Sequence, residues 1–168
     1  AHIGYYTMLF SHCAPNGRVF AFEAASPSCD KCLRNLEYNA RAHDRDFSNV
    51  ELVRMAVGDR NEPAVEETLY LSGTPDYGKT RAQFDFTTLD AFCDRRDIQH
   101  VDLIKSDVDG WDYEVLLGAR EMIQRCRPVL LAAGQRFDLG SHAHRQGARR
   151  RTRPRARRAA SRHGPAPR

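Results

Sequence analysis

Between Gly140 and Arg168 the chain has no lysine, aspartate or glutamate, yet ten of its arginines fall there. The other sixteen basic residues share positions 1–139 with all 22 acids, so the body carries a net charge of −6 and the tail +10. The overall +4 describes neither part and gives no ground for reading the folded body as basic. Long apolar runs are also lacking, and nothing approaches the roughly twenty residues that a bilayer span needs. No basic–apolar–small segment follows Ala1. The five cysteines (Cys13, Cys29, Cys32, Cys93, Cys126) are an odd, scattered set, which argues against a disulfide framework and for a reducing, cytoplasmic setting. Cys29 and Cys32 have no second pair at zinc spacing, so no metal site is expected and core packing is the better reading of both. No internal repeat is visible. The 168 residues suffice for one domain with a buried core.

Within that body, short apolar runs alternate with helical patterns. Residues 18–24 and 50–57 read as strands, the second closed by Gly58-Asp59. Between them, residues 30–42 place Cys32, Leu33, Leu36 and Ala40 at helical spacing. Residues 64–71 and 83–88 look like a hairpin insertion, separated by glycine and proline. Residues 100–108 form another strand, broken by Gly110, after which Asp112 is placed to cap a helix over 113–125. Residues 128–133 make a last apolar strand. This order predicts an α/β fold, a parallel sheet with helices on both faces.

In open sheets of this kind, ligands sit beyond the carboxyl ends of the strands. Three acids occupy that place on three strands: Glu23, Asp59 and Asp107. Singly, each reads best as a cap or a turn. Together they favour one shared crevice. Gly4 adds a constraint, because it precedes an apolar helical segment at 5–10 and Glu23 follows 19 residues later. An acid about 20 residues past a glycine turn can accept from both hydroxyls of a nucleoside ribose. Glycine is needed at such a turn because a side chain would collide with the ligand.

The string Ala1-His2-Ile3-Gly4-Tyr5-Tyr6-Thr7 resembles the second half of the glycine motif of FkbM-type S-adenosylmethionine-dependent methyltransferases. Further landmarks follow in that family's order: Ala21-Phe22-Glu23, Ala56-Val57-Gly58-Asp59, Thr88-Leu89-Asp90, and the run from Ile104-Lys105-Ser106-Asp107-Val108-Asp109-Gly110 through Gly118-Ala119 to Arg127-Pro128. The resemblance covers roughly residues 1 to 131, and its specific part is the run from Ile104 to Ala119. It implies a Rossmann-like class I methyltransferase sheet with S-adenosylmethionine as cofactor. Gly4 would line the methionine end, Glu23 would hold the ribose, and Val57 and Asp59 would lie by the adenine. Asp107 would sit nearest the reacting methyl, as a candidate base aided by Asp109 or Lys105. Ala24 stands where the family commonly has proline, and Asp109 where glutamate is usual. The acceptor implied is a hydroxyl on a sugar, lipid or secondary metabolite, because a substrate oxygen attacks a sulfonium methyl in line.

Relative to the family pattern, the first strand and the closing strands are not found, which divides the chain into a partial methyltransferase domain at 1–139 and a tail at 140–168. The tail cannot bury a core and is expected to be disordered; its composition suggests out-of-frame or fragmentary coding. The chain as it stands is accordingly expected to bind cofactor weakly and turn over little. Two alternatives remain. A nicotinamide-dependent oxidoreductase also uses a glycine turn and a ribose acid, but Tyr5, Tyr6 and Thr7 stand where its further glycines belong. A nucleic-acid binder would act through the tail's arginines, though no aromatics interleave them. Trp111 and Tyr113 read equally well as substrate-facing or helix-packing residues. His12-Cys13 is discounted as a dyad, since helical neighbours point apart.

Overall fold

The computed structural model describes residues 1–71, 78–108 and 110–132. Asp109 and the arginine-rich tail lie outside the described residues.

Helix α1 (Tyr5–Cys13) leads to strand β1 (Val19–Phe22), followed by the long helix α2 (Ser26–His43). A proline in its first turn suits α2, and its buried stripe is Cys29, Cys32 and Leu36, at the spacing that turns one face inward. Strand β2 (Val50–Val53) pairs parallel with β1, in register from Val19↔Val50 to Phe22↔Val53. Asn49 fixes the entry to β2: its side chain accepts from the Ser11 hydroxyl (2.5 Å) and donates to the Ala14 carbonyl (2.9 Å).

The strand expected over 50–57 does not run through. The Met55 N–H turns back onto the Val53 carbonyl (2.9 Å), and Arg54 swings out to Asp30 (2.8 Å). Beyond this tight turn, β3 (Ala56–Val57) joins a different ladder, parallel to β5 (Gly78–Thr87). Strand β4 (Glu62–Leu71) pairs antiparallel with β5, forming the expected hairpin at greater length.

Helix α3 (Leu89–Arg95) precedes β6 (Leu103–Ser106), and β7 (Val129–Ala132) lies parallel to β6. Between them the expected helix over 113–125 is two helices, α4 (Asp112–Leu117) and α5 (Arg120–Cys126), parted at Gly118-Ala119. Among the described residues the ladders are therefore two parallel pairs, β1–β2 and β6–β7, and a mixed three-stranded sheet, β3–β5–β4, in place of one continuous sheet. There β1 and β6 each have a single ladder partner.

Helix α3 links the two parallel pairs. Its Phe92 meets Phe20 and Phe22 of β1 edge-on, with centroids 5.3 and 4.8 Å away. Its Cys93 clusters with Ile104 of β6, Ala119 and Met122 in the core. By contrast, Val129, Leu130 and Leu131 of β7 are all exposed. No helix among the described residues is long and apolar enough to cross a membrane.

Burial pushes the thiols of Cys29, Cys32 and Cys93 above the ordinary value of 9.0, because a thiolate would lose its hydration. The folded state thus favours the protonated thiol. That contribution to stability is complete below the unfolded-state value and is lost as pH rises through the higher folded-state value. Urea midpoints should fall once the pH passes about 9, and the fall should shrink in Cys93→Val. An unchanged alkaline fall in that variant would contradict the assignment.

Candidate functional site

Gly4 caps α1 at φ +92°, a left-handed conformation that disfavours side chains. Space excludes one as well, since a Cβ there would stand 2.8 Å from the Cys32 Sγ. The Gly4 N–H donates to the Ala1 carbonyl (3.1 Å), closing a turn over residues 1–4.

That turn meets Glu23, which follows β1. Glu23 Oε2 accepts from the His2 N–H (2.7 Å) and from the Ala1 nitrogen (3.3 Å). Its Oε1 accepts from the Ala25 N–H (3.0 Å), and its own N–H donates to the Val53 carbonyl (3.0 Å). The Glu23 side chain is 18% exposed.

On β6 the Lys105 Nζ lies 3.2 Å from Asp107 Oδ2 and 4.3 Å from the centroid of the Tyr6 ring. Residues 1–6 therefore touch both strand ends, Glu23 beyond β1 through His2 and Lys105 of β6 through Tyr6. A series of contacts thus connects Glu23, the glycine turn and the start of α1 to Lys105 and Asp107. Asp107 is the open member, with a side chain 54% exposed.

Val57 and Asp59 are not joined to this group by any hydrogen bond or ion pair among the described residues. Val57 belongs to β3, which pairs with the hairpin rather than with β1, and Asp59 is exposed. Asp109 lies outside the described residues. The shallow concavities beside the hairpin (Glu66, Arg81, Gln83) and along α2 (Arg34, Tyr38, Arg41) involve none of these residues. Among the described residues no group of three or more His, Cys, Asp or Glu is placed to hold a metal.

Three positions have roles that the sequence did not disclose. Asp112 does not cap α4: Trp111 is the N-cap, and the buried Asp112 carboxylate accepts from the buried Ser106 hydroxyl. This bond clasps the loop that carries Asp107, from the end of β6 to the start of α4. Asp90 caps α5 from a distance, accepting from the Glu121 (3.0 Å) and Met122 (2.8 Å) N–H groups. Gly118 presses against Gly58, so that Gly58-Asp59, Thr88-Leu89-Asp90 and Gly118-Ala119 meet at one structural junction. The only signal in the sequence for Asp90 was its place in the Thr88-Leu89-Asp90 landmark of the family resemblance. Asp90→Ala would leave two helix-start donors without their carboxylate and should cost about 1–2 kcal/mol in urea denaturation. An unchanged midpoint would refute that capping role.

The methyltransferase FkbM domain model matches residues 1–146. In fold the chain is similar to the crystal structure of methyltransferase FkbM from Methylobacillus flagellatus KT, with a TM-score of 0.51 and 21% identity. That likeness covers 79% of this chain and 30% of the other, so the chain spans under a third of that protein's length. No curated protein matches the chain. With a matching family model over most of its length and a mixed α/β fold like that of an FkbM structure, the chain belongs to the FkbM methyltransferase family.

Proposed function

We propose that this chain binds S-adenosylmethionine at the Gly4–Glu23 turn and serves methyl transfer to a hydroxyl on a sugar, lipid or secondary metabolite. The observation that carries the reading is the direct bond from the glycine turn to the acid, His2 N–H to Glu23 Oε2 at 2.7 Å. It fixes a carboxylate beside a backbone stretch where a side chain would be excluded. These are the two features a nucleoside cofactor needs at this end of a sheet.

When bound, the cofactor supplies an electrophilic sulfonium methyl, and the protein's part is placement and proton handling. Glu23 offers acceptor oxygens to the two ribose hydroxyls, and Gly4 leaves room for the methionine end. Asp107, the exposed carboxylate, is the candidate acceptor for the hydroxyl proton of the substrate. Lys105, held against Tyr6, keeps Asp107 near the turn, and Asp109 is a second candidate helper. Val57 and Asp59 are proposed to flank the adenine. The five free cysteines support a reducing, cytoplasmic location.

Calorimetric titration with S-adenosylhomocysteine and with NAD tests this reading. Binding of the first without the second is expected, and saturable binding of NAD alone would overturn the proposal in favour of an oxidoreductase.

A further inference from the structure

The Cys29-x-x-Cys32 pair lies directly behind the site, yet neither thiol is assigned any part in it. Both side chains are fully buried, one helical turn apart near the start of α2. Cys29 Sγ donates to the Glu23 carbonyl oxygen (3.3 Å). Cys32 Sγ fills the space beneath Gly4, where it would meet an added Cβ at 2.8 Å. One thiol thus touches the acid's backbone and the other touches the glycine turn.

We infer that Cys29 and Cys32 are positioning residues that hold the glycine turn and the Glu23 carboxylate in fixed register for the ligand. The inference rests, for its functional half, on the reading of Glu23 as the ribose-holding acid. Glu23 has four protein-facing anchor points: its N–H on β2, its Oε2 on the turn backbone at His2, its Oε1 on the Ala25 N–H, and its carbonyl on Cys29. The first is part of the sheet, and the carboxylate bonds belong to the group being positioned. The thiol is the anchor that fixes the peptide plane between Glu23 and Ala24 from outside the loop. Burial keeps the thiol protonated by raising its pKa, so it can act as a donor and is not a nucleophile. Cys32 acts by shape, because its sulfur sets how closely the turn can settle onto α2.

Amide hydrogen exchange in the ligand-free chain and S-adenosylhomocysteine titration, applied together, test this. Cys29→Ala should speed exchange at Ala25 by about fivefold, the loss of one net hydrogen bond, while amides of β6 and β7 stay unchanged. Ligand affinity should weaken by about the same factor, and Cys29→Ser, which keeps a donor, should restore most of both. In a Glu23→Gln background the Cys29→Ala change should alter affinity by less than about twofold, because the two act through one element. Cys32→Ala should speed exchange at Met8, whose N–H donates to the Gly4 carbonyl.

Unchanged exchange at Ala25, or a uniform rise across the whole chain, would overturn the inference. So would a Cys29→Ala change that weakens binding equally in the wild-type and Glu23→Gln backgrounds, since that describes packing alone. If exchange responds as expected while neither Cys29→Ala nor Glu23→Gln affects the ligand, the positioning role stands and the ribose reading of Glu23 falls.

Discussion

Replacing Gly118 with alanine should destabilise the fold by about 3 kcal/mol, lowering the melting temperature by roughly 10 °C. A Cβ at that position would stand 2.0 Å from the Gly58 carbonyl oxygen, 3.0 Å from its carbon and 3.1 Å from the Thr88 Cβ. Two of those atoms are backbone, so no rotamer change relieves the overlap. The Gly118 carbonyl also accepts from the Asp90 N–H (2.9 Å), and any retreat of residue 118 pulls on α3. Gly110 provides the comparison. Its φ is +88°, but an added Cβ would meet nothing within 4 Å. Gly110→Ala should therefore cost only the backbone preference, about 1 kcal/mol. Urea denaturation of the two variants checks the ranking, and equal midpoints would show that the Gly58–Gly118 approach carries no special weight.

The second large effect concerns binding. Glu23→Gln keeps the shape of the side chain but replaces one carboxylate oxygen with a donor, opposite the His2 N–H and the ribose. A hydrogen bond to a charged group contributes about 1.5–3 kcal/mol, so S-adenosylhomocysteine affinity should drop by about 10- to 100-fold. Part of the change will be structural, because the carboxylate also holds the Ala25 N–H. Circular dichroism of the variant separates the two contributions: a retained spectrum with lost binding is the expected pairing. Wild-type affinity in a folded Glu23→Gln protein would remove Glu23 from the site.

The parts of the fold legible in the sequence are those decided locally. Strands β1, β6 and β7 follow from apolar periodicity within single segments, and the hairpin follows from two β-prone runs around a turn. Of the stripe expected on α2, Cys32 and Leu36 are buried, but Leu33 is exposed and Cys29, one turn earlier, takes the inward place. What escaped was decided by distant partners. The run over 50–57 is largely apolar, yet it breaks because Arg54 pairs with Asp30 and Ala56–Val57 finds its ladder on β5. The stretch 113–125 has one helical pattern, yet it is cut at Gly118 by contact with Gly58, far earlier in the chain, and restarted by the Asp90 carboxylate. Asp112 looked like a cap because a helix begins beside it, but its buried partner is the hydroxyl of Ser106.

The same distinction holds at the site. The spacing between Gly4 and Glu23 is a local property of one helix and one strand, and the two meet through His2 as a consequence. Lys105 and Asp107 are near neighbours in sequence, and the contact with Tyr6 brings them to the turn. Val57 and Asp59 depend on where β3 goes. No pattern within residues 50–59 states that it leaves the β1–β2 pair.

Amide chemical-shift mapping of the chain during titration with S-adenosylhomocysteine is the most direct test. Saturable shifts at Gly4, Glu23, Ala25 and the segment from Lys105 to Asp107, with the hairpin amides of β4 and β5 unmoved, are the predicted result. Shifts confined to the hairpin or to the outer face of α2, or none at millimolar ligand, would contradict a nucleoside site at the glycine turn.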